Sequence, residues 1–131
     1  MLKFCIVICT KRRSTILTRC LSAVADLRPT PTMVIVVDNT EGDKGTEQVA
    51  KEFGVHYVIE PKAGLSRARK RGLAECESDV VVYLDDDAVP DSKWLGEQLA
   101  SHERKKVPTE IGKVLNITSR RTSRQSDRKP Q

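Results

Sequence analysis

Four short stretches of the sequence are apolar, apart from His56 in the third, and rich in β-branched residues. They are Phe4–Cys9, Met33–Val37, Val55–Ile59 and Val80–Leu84. Uninterrupted apolar runs of this length are typical of strands that are buried on both faces, as in a parallel sheet. The pattern therefore predicts four strands of one parallel sheet.

The segments between these runs carry apolar residues at helical spacing. The first helix is predicted to have Ser14 as its N-cap and to stop before Pro29, the second to end at Gly54, and the third to follow Gly64. Strands that alternate with helices predict an open, mostly parallel α/β sheet with helices on both faces. A weaker apolar pattern over Ile111–Ile117 predicts one further strand.

Charge divides the chain into two parts. Residues 103–131 carry nine Lys or Arg and three Asp or Glu, whereas the 102 residues before them are close to neutral. The end of this basic segment is rich in Ser, Arg and Gln and cannot bury enough apolar area to order itself. We therefore expect an α/β domain over residues 1–102 and a basic, largely disordered tail over residues 103–131.

Several classes of protein are disfavoured by composition. Aromatic residues make up only 4% of the sequence, which is too few for binding single-stranded nucleic acid by base stacking. The longest apolar runs are far shorter than the roughly 20 residues that cross a bilayer, and no secretory signal is recognisable. We therefore expect a cytoplasmic protein without a transmembrane segment, and nucleic acid is not an expected partner.

Two further kinds of site find no support. The four cysteines, Cys5, Cys9, Cys20 and Cys76, show no CxxC spacing, so neither a zinc site nor a disulfide framework is predicted. Glycine-rich loops of the GxGxxG or GxxxxGK[ST] type are also missing, which argues against dinucleotide and ATP binding.

An acidic run directly after the fourth strand is the sharpest chemical signal. Asp85, Asp86 and Asp87 are adjacent, and three adjacent carboxylates repel one another unless a cation is present. Oxygen ligands suit Mg²⁺ or Mn²⁺, with substrate phosphates completing the shell. In an extended segment Asp85 and Asp87 would face one site and Asp86 the other side. The alternative is a solvent-exposed acidic turn before Pro90.

Two other polar features lie at expected ligand-binding positions of an open sheet. Asp38, after the second strand, could accept hydrogen bonds from a base or ribose, or could serve as a turn residue. Arg67 and Arg71 share a face of the third helix, whose N-terminal end could hold a diphosphate. The alternative for these arginines is a solvated basic face balanced by acidic residues such as Glu75.

Four motifs together resemble the nucleotide-sugar-binding, N-terminal half of an inverting family-two glycosyltransferase with a GT-A fold. In chain order the matching segments are Val7–Arg13, Val36–Asn39, Gly64–Arg69, and Tyr83–Asp91 with Trp94-Leu95. The resemblance implies that Asp85–Asp87 is a DxD-type motif, in which the middle Asp approaches the ribose and the last binds the metal. The residues assigned to nucleotide binding are Thr10, Arg13, Asp38, Arg67 and Asp86. The ligands assigned to Mg²⁺ or Mn²⁺ are Asp87, by resemblance, and Asp85, which strand alternation places on the same side.

The expected function is binding of a nucleoside-diphosphate sugar for transfer to the hydroxyl of a saccharide or lipid acceptor. Family members place the acceptor site and general base well downstream of the acidic motif, whereas only Ala88–Gln131 follow it here. Glu103 and Glu110 are available, but each is better explained as a surface residue, so no catalytic residue is assigned. We expect a truncated chain whose open face near Trp94 is covered by self-association or by a partner chain.

Two alternatives belong to other functional classes. Asp85–Val89 matches the DxDx[T/V] signature of haloacid-dehalogenase-like phosphatases, but that family carries it on the first strand. The stronger alternative is a non-catalytic nucleotide-binding remnant, or an interaction module that docks through its basic tail.

Overall fold

Strands and helices alternate along the described part of the chain. The computed structural model describes residues 3–78, 80–93, 96–97 and 113–115. The elements are β1 (Phe4–Thr10), α1 (Ser14–Val24), β2 (Met33–Asp38), α2 (Lys44–Phe53), β3 (His56–Ile59), α3 (Leu65–Glu75), β4 (Val80–Asp85) and β5 (Lys113–Leu115). The predictions for Trp94, Leu95, Glu103 and Glu110 lie outside the described residues, and the domain boundary at residue 102 stays a prediction.

The strands form one sheet in the order β3-β2-β1-β4-β5, and every paired neighbour is parallel. This confirms the open parallel sheet, and the strand expected over Ile111–Ile117 is found at its shorter core, β5. Thr10 at the end of β1 is in register with Asp38 at the end of β2. Cys9 is in register with Asp85 at the end of β4. The carboxyl ends of these three strands therefore meet at one edge.

Both faces of the sheet are buried, as the continuous apolar runs predict. One core cluster joins Phe4, Ile6 and Ile8 of β1 to the apolar face of α1. The other cluster joins Cys5 and Val7 of β1 to Ala68 of α3, and the partly buried Cys9 packs against it. Alternate residues of one strand thus serve opposite layers. No helix among the described residues is long and apolar enough to cross a membrane.

The close approach of α3 to the sheet requires a glycine. A Cβ at Gly72 would collide with Val7 Cγ1 and would lie 3.2 Å from Val37 Cγ2. Because the helix backbone rests directly on these two valines, α3 holds a fixed height above β1 and β2. The residues that α3 carries toward the strand ends are positioned by this contact.

The helix termini agree with the sequence in part. Gly54 ends α2 with φ 66°, the left-handed conformation expected of a C-terminal glycine. Asp43 is the N-cap of α2 and accepts a hydrogen bond from the backbone N–H of Thr46. The N-cap predicted at Ser14 is wrong by one residue, because Arg13 occupies that position and makes no side-chain cap. Ser14 is instead the first residue of α1.

A disulfide joins Cys5 of β1 to Cys76, the residue that follows α3. The expectation of no disulfide framework is therefore wrong for this pair. The two cysteines are separated by 71 residues, so no local spacing marks them, and only the packing of α3 on the sheet brings them together. Cys9 and Cys20 are free thiols.

Candidate functional site

A cavity of about 330 Å³ opens where the carboxyl ends of β1 and β4 meet. Thr10 and Arg13 line it from the end of β1 and the start of α1, and Asp85, Asp86 and Asp87 line it from the end of β4. Ligands of open α/β sheets bind at this edge. Five of the seven residues assigned from the sequence are thus brought together.

Asp86 is held by two partners from the neighbouring strand end. The Thr10 hydroxyl donates a hydrogen bond of 2.8 Å to Asp86 Oδ2, and Arg13 Nη1 lies 3.4 Å from Asp86 Oδ1. The residue is only 6% exposed. Burial raises the pKa of the Asp86 carboxyl, while the Thr10 hydrogen bond and the Arg13 charge act to lower it. The middle carboxylate of the acidic run is therefore fixed in place.

The acidic run does not continue the strand, and the alternation expected for it is wrong. β4 ends at Asp85, and the backbone N–H of Ala88 donates a 3.0 Å hydrogen bond to Asp85 O. This turn places Asp86 in the wall of the same cavity as Asp85 and Asp87 instead of on the far side. All three residues of the acidic run therefore line one cavity.

Asp38 lies at the predicted edge but does not line the cavity. It is fully buried, and its carboxylate accepts hydrogen bonds from the Thr40 hydroxyl at 2.7 Å, the Asp43 backbone N–H at 2.9 Å and the Tyr57 hydroxyl. Burial and the bond to Asp38 raise the pKa of the Tyr57 phenol. In this arrangement Asp38 orders its own loop, which is the turn role left open by the sequence. Nucleoside contact by Asp38 stays a prediction.

Asn39 lines the cavity and was not assigned from the sequence. Its Nδ2 donates to the backbone oxygens of Glu60 at 2.7 Å and Lys62 at 2.9 Å, and its Oδ1 accepts from the Gly64 N–H at 3.2 Å. One amide thus ties the end of β2 to the loop that leads into α3. An amide directly after a strand-end Asp was the available signal.

From α3, Leu65 and Arg69 line the cavity, and Arg67 does not. Arg69 lines the cavity, and its Cζ lies 5.0 Å from the centroid of the Tyr83 ring. Arg67 is exposed and does not line the cavity. Arg71 pairs with Glu75 at 3.3 Å. Helical spacing alone could not separate these arginines, because the choice depends on how α3 is rotated over the sheet.

The carboxylates of the cavity suit a cation whose remaining ligands come from a bound phosphate compound and water. Among the described residues no group of three or more His, Cys, Asp or Glu side chains is placed so that it could hold a metal ion by itself. Mg²⁺ and Mn²⁺ are commonly held by one or two carboxylates, with phosphates and water completing the shell, so Asp85 and Asp87 fit such an ion. Burial raises the pKa of the cavity thiol Cys9 to about 11, which keeps it neutral near pH 7.

Comparison with known sequences identifies the family. The chain matches the profile of Glycosyl transferase family 2 over residues 5–129. A 68-residue segment is 31% identical to glycosyltransferase AglE of Haloferax volcanii and covers 47% of this chain and 22% of that protein.

Solved structures share the fold. S. aureus TarS 1-349 matches 79% of the chain at 21% identity, with a TM-score of 0.66. Glucosyl-3-phosphoglycerate synthase from Mycobacterium tuberculosis, in complex with Mn²⁺, UDP and glucosyl-3-phosphoglycerate, matches 66% at 20% identity and a TM-score of 0.58. The mannosyltransferase PcManGT from Pyrobaculum calidifontis, in complex with GDP-Man and Mn²⁺, matches 71% at 20% identity and a TM-score of 0.61.

The extent of these matches agrees with the resemblance seen in the motifs. The chain covers 33%, 35% and 32% of these three solved chains, about a third of their length. The shared part is the parallel α/β sheet with flanking helices expected for the nucleotide-binding half of a GT-A fold. Since the family profile extends over nearly the whole sequence, the chain belongs to glycosyl transferase family 2.

Proposed function

We propose that the cavity at the ends of β1 and β4 binds a nucleoside-diphosphate sugar together with a divalent cation, as the donor-binding part of a glycosyltransferase. The observation that carries the proposal is the convergence of Asp85, Asp86 and Asp87 with Thr10 and Arg13 on one cavity. Two solved relatives of the same fold are complexes with Mn²⁺ and a nucleoside diphosphate or nucleotide sugar.

The proposed roles follow from burial and hydrogen bonding. Asp86, fixed by Thr10 and Arg13, offers its carboxylate edge to the ribose. Asp85 and Asp87 lie nearer to solvent and hold Mg²⁺ or Mn²⁺ against the diphosphate. When bound, the cation supplies charge stabilisation for the departing nucleoside diphosphate.

The described residues account for donor binding only. Sugar transfer requires a base within hydrogen-bond reach of the acceptor hydroxyl, and neither that base nor the acceptor, a saccharide or a lipid, is assigned here. An experiment must therefore distinguish sugar transfer by this chain from a non-catalytic role in nucleotide binding. Multiple-turnover sugar transfer by the purified chain supports an enzyme, whereas donor binding without transfer supports the second role.

The test is titration of the purified chain with UDP, GDP and their sugars, with MnCl₂, with MgCl₂ and with EDTA. We expect the chain to bind either the uridine or the guanosine nucleotides. Binding should occur with Mn²⁺ or with Mg²⁺ and should be lost in EDTA. Binding of equal strength in EDTA would contradict the metal role, and no binding of any nucleotide would contradict the donor site itself.

A further inference from the structure

The outward side of α3 carries more positive charge than the other two helices of the sheet. Residues 61–74 contain five Lys or Arg and no Asp or Glu, whereas α2 carries two Lys and two Glu and α1 a single Arg. Arg67, Lys70 and Arg71 are exposed and lie three or four residues apart, so they share one side of the helix. These three residues form what we call the basic face of α3.

Little of the charge on the basic face is neutralised. Arg71 pairs with Glu75 at 3.3 Å, and Glu75 also lies 3.2 Å from His56. Arg67 and Lys70 form no ion pair with any residue that the structure describes. The face therefore keeps a net positive charge, which complements an anionic partner.

Exposed leucines border the basic face. Leu65 is 57% exposed and Leu73 is 39% exposed, and they are two of the three large hydrophobic side chains exposed in the described part of the chain. Leu73 follows Lys70 by three positions, so the two are neighbours on the helix surface. The contact of α3 with the sheet is made by the buried Ala68 and by Gly72, which leaves these leucines uncovered. Cations next to exposed apolar side chains are typical of a helix that lies in a membrane interface.

We propose that the basic face of α3 docks on an anionic phospholipid surface, with Leu65 and Leu73 entering the boundary between head groups and acyl chains. Arg and Lys can pair with lipid phosphates while their apolar stems stay in contact with the lipid. The leucines favour lipid over nucleic acid, because nucleic acid is bound by cations at its phosphates and by aromatic rings at its bases. The docking is independent of the proposed donor site.

The position of Leu65 connects the basic face with the cavity. Leu65 is the first residue of α3, and it lines the cavity at the ends of β1 and β4. A docked α3 would therefore hold the mouth of that cavity beside the lipid head groups. Of the two acceptor classes, saccharide and lipid, such a surface supplies the lipid class. This consequence rests on the proposed function, whereas the docking itself does not.

The charge of the face is tested by sedimentation of the full chain with vesicles of equimolar phosphatidylglycerol and phosphatidylcholine, without nucleotide. The first variant carries Arg67→Gln and Lys70→Gln. The matched control carries Lys44→Gln and Lys51→Gln, which removes two exposed lysines of α2. Since each cation near an anionic surface contributes about fivefold, we expect the α3 variant to bind about tenfold to thirtyfold more weakly and the control within about twofold of wild type. The nine Lys or Arg of residues 103–131 are present in all three proteins.

The apolar contribution is tested in the same assay with unchanged charge. Leu73→Gln removes an exposed apolar side chain beside the basic face. The control Ile59→Gln makes a similar change at a residue that is 36% exposed and lies next to Gly42, away from α3. We expect Leu73→Gln to weaken vesicle binding at least about threefold and Ile59→Gln to stay within about twofold of wild type. Thermal unfolding checks that each variant folds, and if Leu73→Gln does not fold, the charge variants decide the proposal.

Three results would overturn the inference. Equal weakening by the α3 and α2 charge variants would indicate general electrostatics. An α3 variant that binds vesicles as wild type does would exclude the basic face as the contact. A wild-type chain that binds poly(U) RNA but not these vesicles would assign the face to nucleic acid. Vesicle binding by a chain that binds no nucleotide would contradict the proposed function alone, so the two failures are distinguishable.

Discussion

Thr10 and Asp86 lie 76 residues apart in sequence and are joined by a buried hydrogen bond of 2.8 Å. The bond links the end of β1, the central strand of the sheet, to the turn that follows its neighbour β4. It fixes the middle carboxylate of the acidic run, and Arg13 adds an ion pair from the start of α1. The geometry of the cavity is therefore built into the fold before any ligand binds.

Thr10→Val should destabilise the chain because it leaves one Asp86 oxygen without its donor while it conserves shape. A buried polar group that loses a partner costs about 1–3 kcal/mol. The measurement is the free energy of unfolding in urea. Thr15→Val, the same change at an exposed position, should stay within about 0.5 kcal/mol of wild type, and equal values for the two variants would contradict the structural role of the bond.

Gly72→Ala should also destabilise, although alanine is intrinsically the better helix former by about 1 kcal/mol. The added Cβ collides with Val7, and overpacking of a core costs about 1–3 kcal/mol. Urea unfolding of Gly72→Ala is compared with Lys70→Ala, an exposed change on the same helix. An increase in stability for Gly72→Ala would show that α3 does not rest on β1 as described.

Because Cys5 and Cys76 form a disulfide, the number of cysteines with a reactive thiol should depend on reduction. Under denaturing, non-reducing conditions two of the four cysteines should react with iodoacetamide, and all four should react after reduction. Reduction should lower stability by about 4 kcal/mol, the chain-entropy value for a loop of this size. Four reactive thiols in the unreduced protein would contradict the bridge. Disulfides are rare in reducing compartments, and the cytoplasmic location expected from the sequence stays a prediction.

Tyr57 predicts a change of stability in alkaline solution. Its pKa is raised above the ordinary value of 10.0, so the folded state retains the phenolic proton more tightly than the unfolded state. The resulting stability is complete below pH 10 and is lost as pH rises above it. The difference in unfolding free energy between wild type and Tyr57→Phe should be constant from pH 7 to 9 and should shrink above pH 10. A constant difference across that range would contradict the Asp38–Tyr57 bond.

The sheet could be predicted from the sequence because its signal is local. β1, β2 and β4 each consist mainly of a continuous apolar run, such as Val80–Leu84 in β4, and burial on both faces is the common cause of such runs. Parallel strands joined by helices also place their carboxyl ends at one edge, so Thr10 and Asp86 could be expected to lie together. These inferences need no knowledge of side-chain packing.

The rest depends on tertiary geometry that spacing does not record. The turn after Asp85 brings Asp86 into the cavity, whereas strand alternation places it on the other side. The rotation of α3 over the sheet decides between Arg67 and Arg69. The pairing of Cys5 with Cys76 follows from the same packing of α3. The strand alternation was wrong for Asp86 because β4 ends at Asp85, whereas the nucleotide role of Arg67 stays a prediction.

In the proposed function the acidic run Asp85–Asp87 holds a cation against a nucleoside diphosphate. The most direct measurement is calorimetric titration of UDP and GDP in MnCl₂ with wild type, Asp87→Asn and the control Asp91→Asn, which changes an exposed carboxylate outside the cavity. We expect Asp87→Asn to weaken binding by about tenfold to a hundredfold and Asp91→Asn to bind like wild type. Equal affinity of wild type and Asp87→Asn would contradict this role of the acidic run.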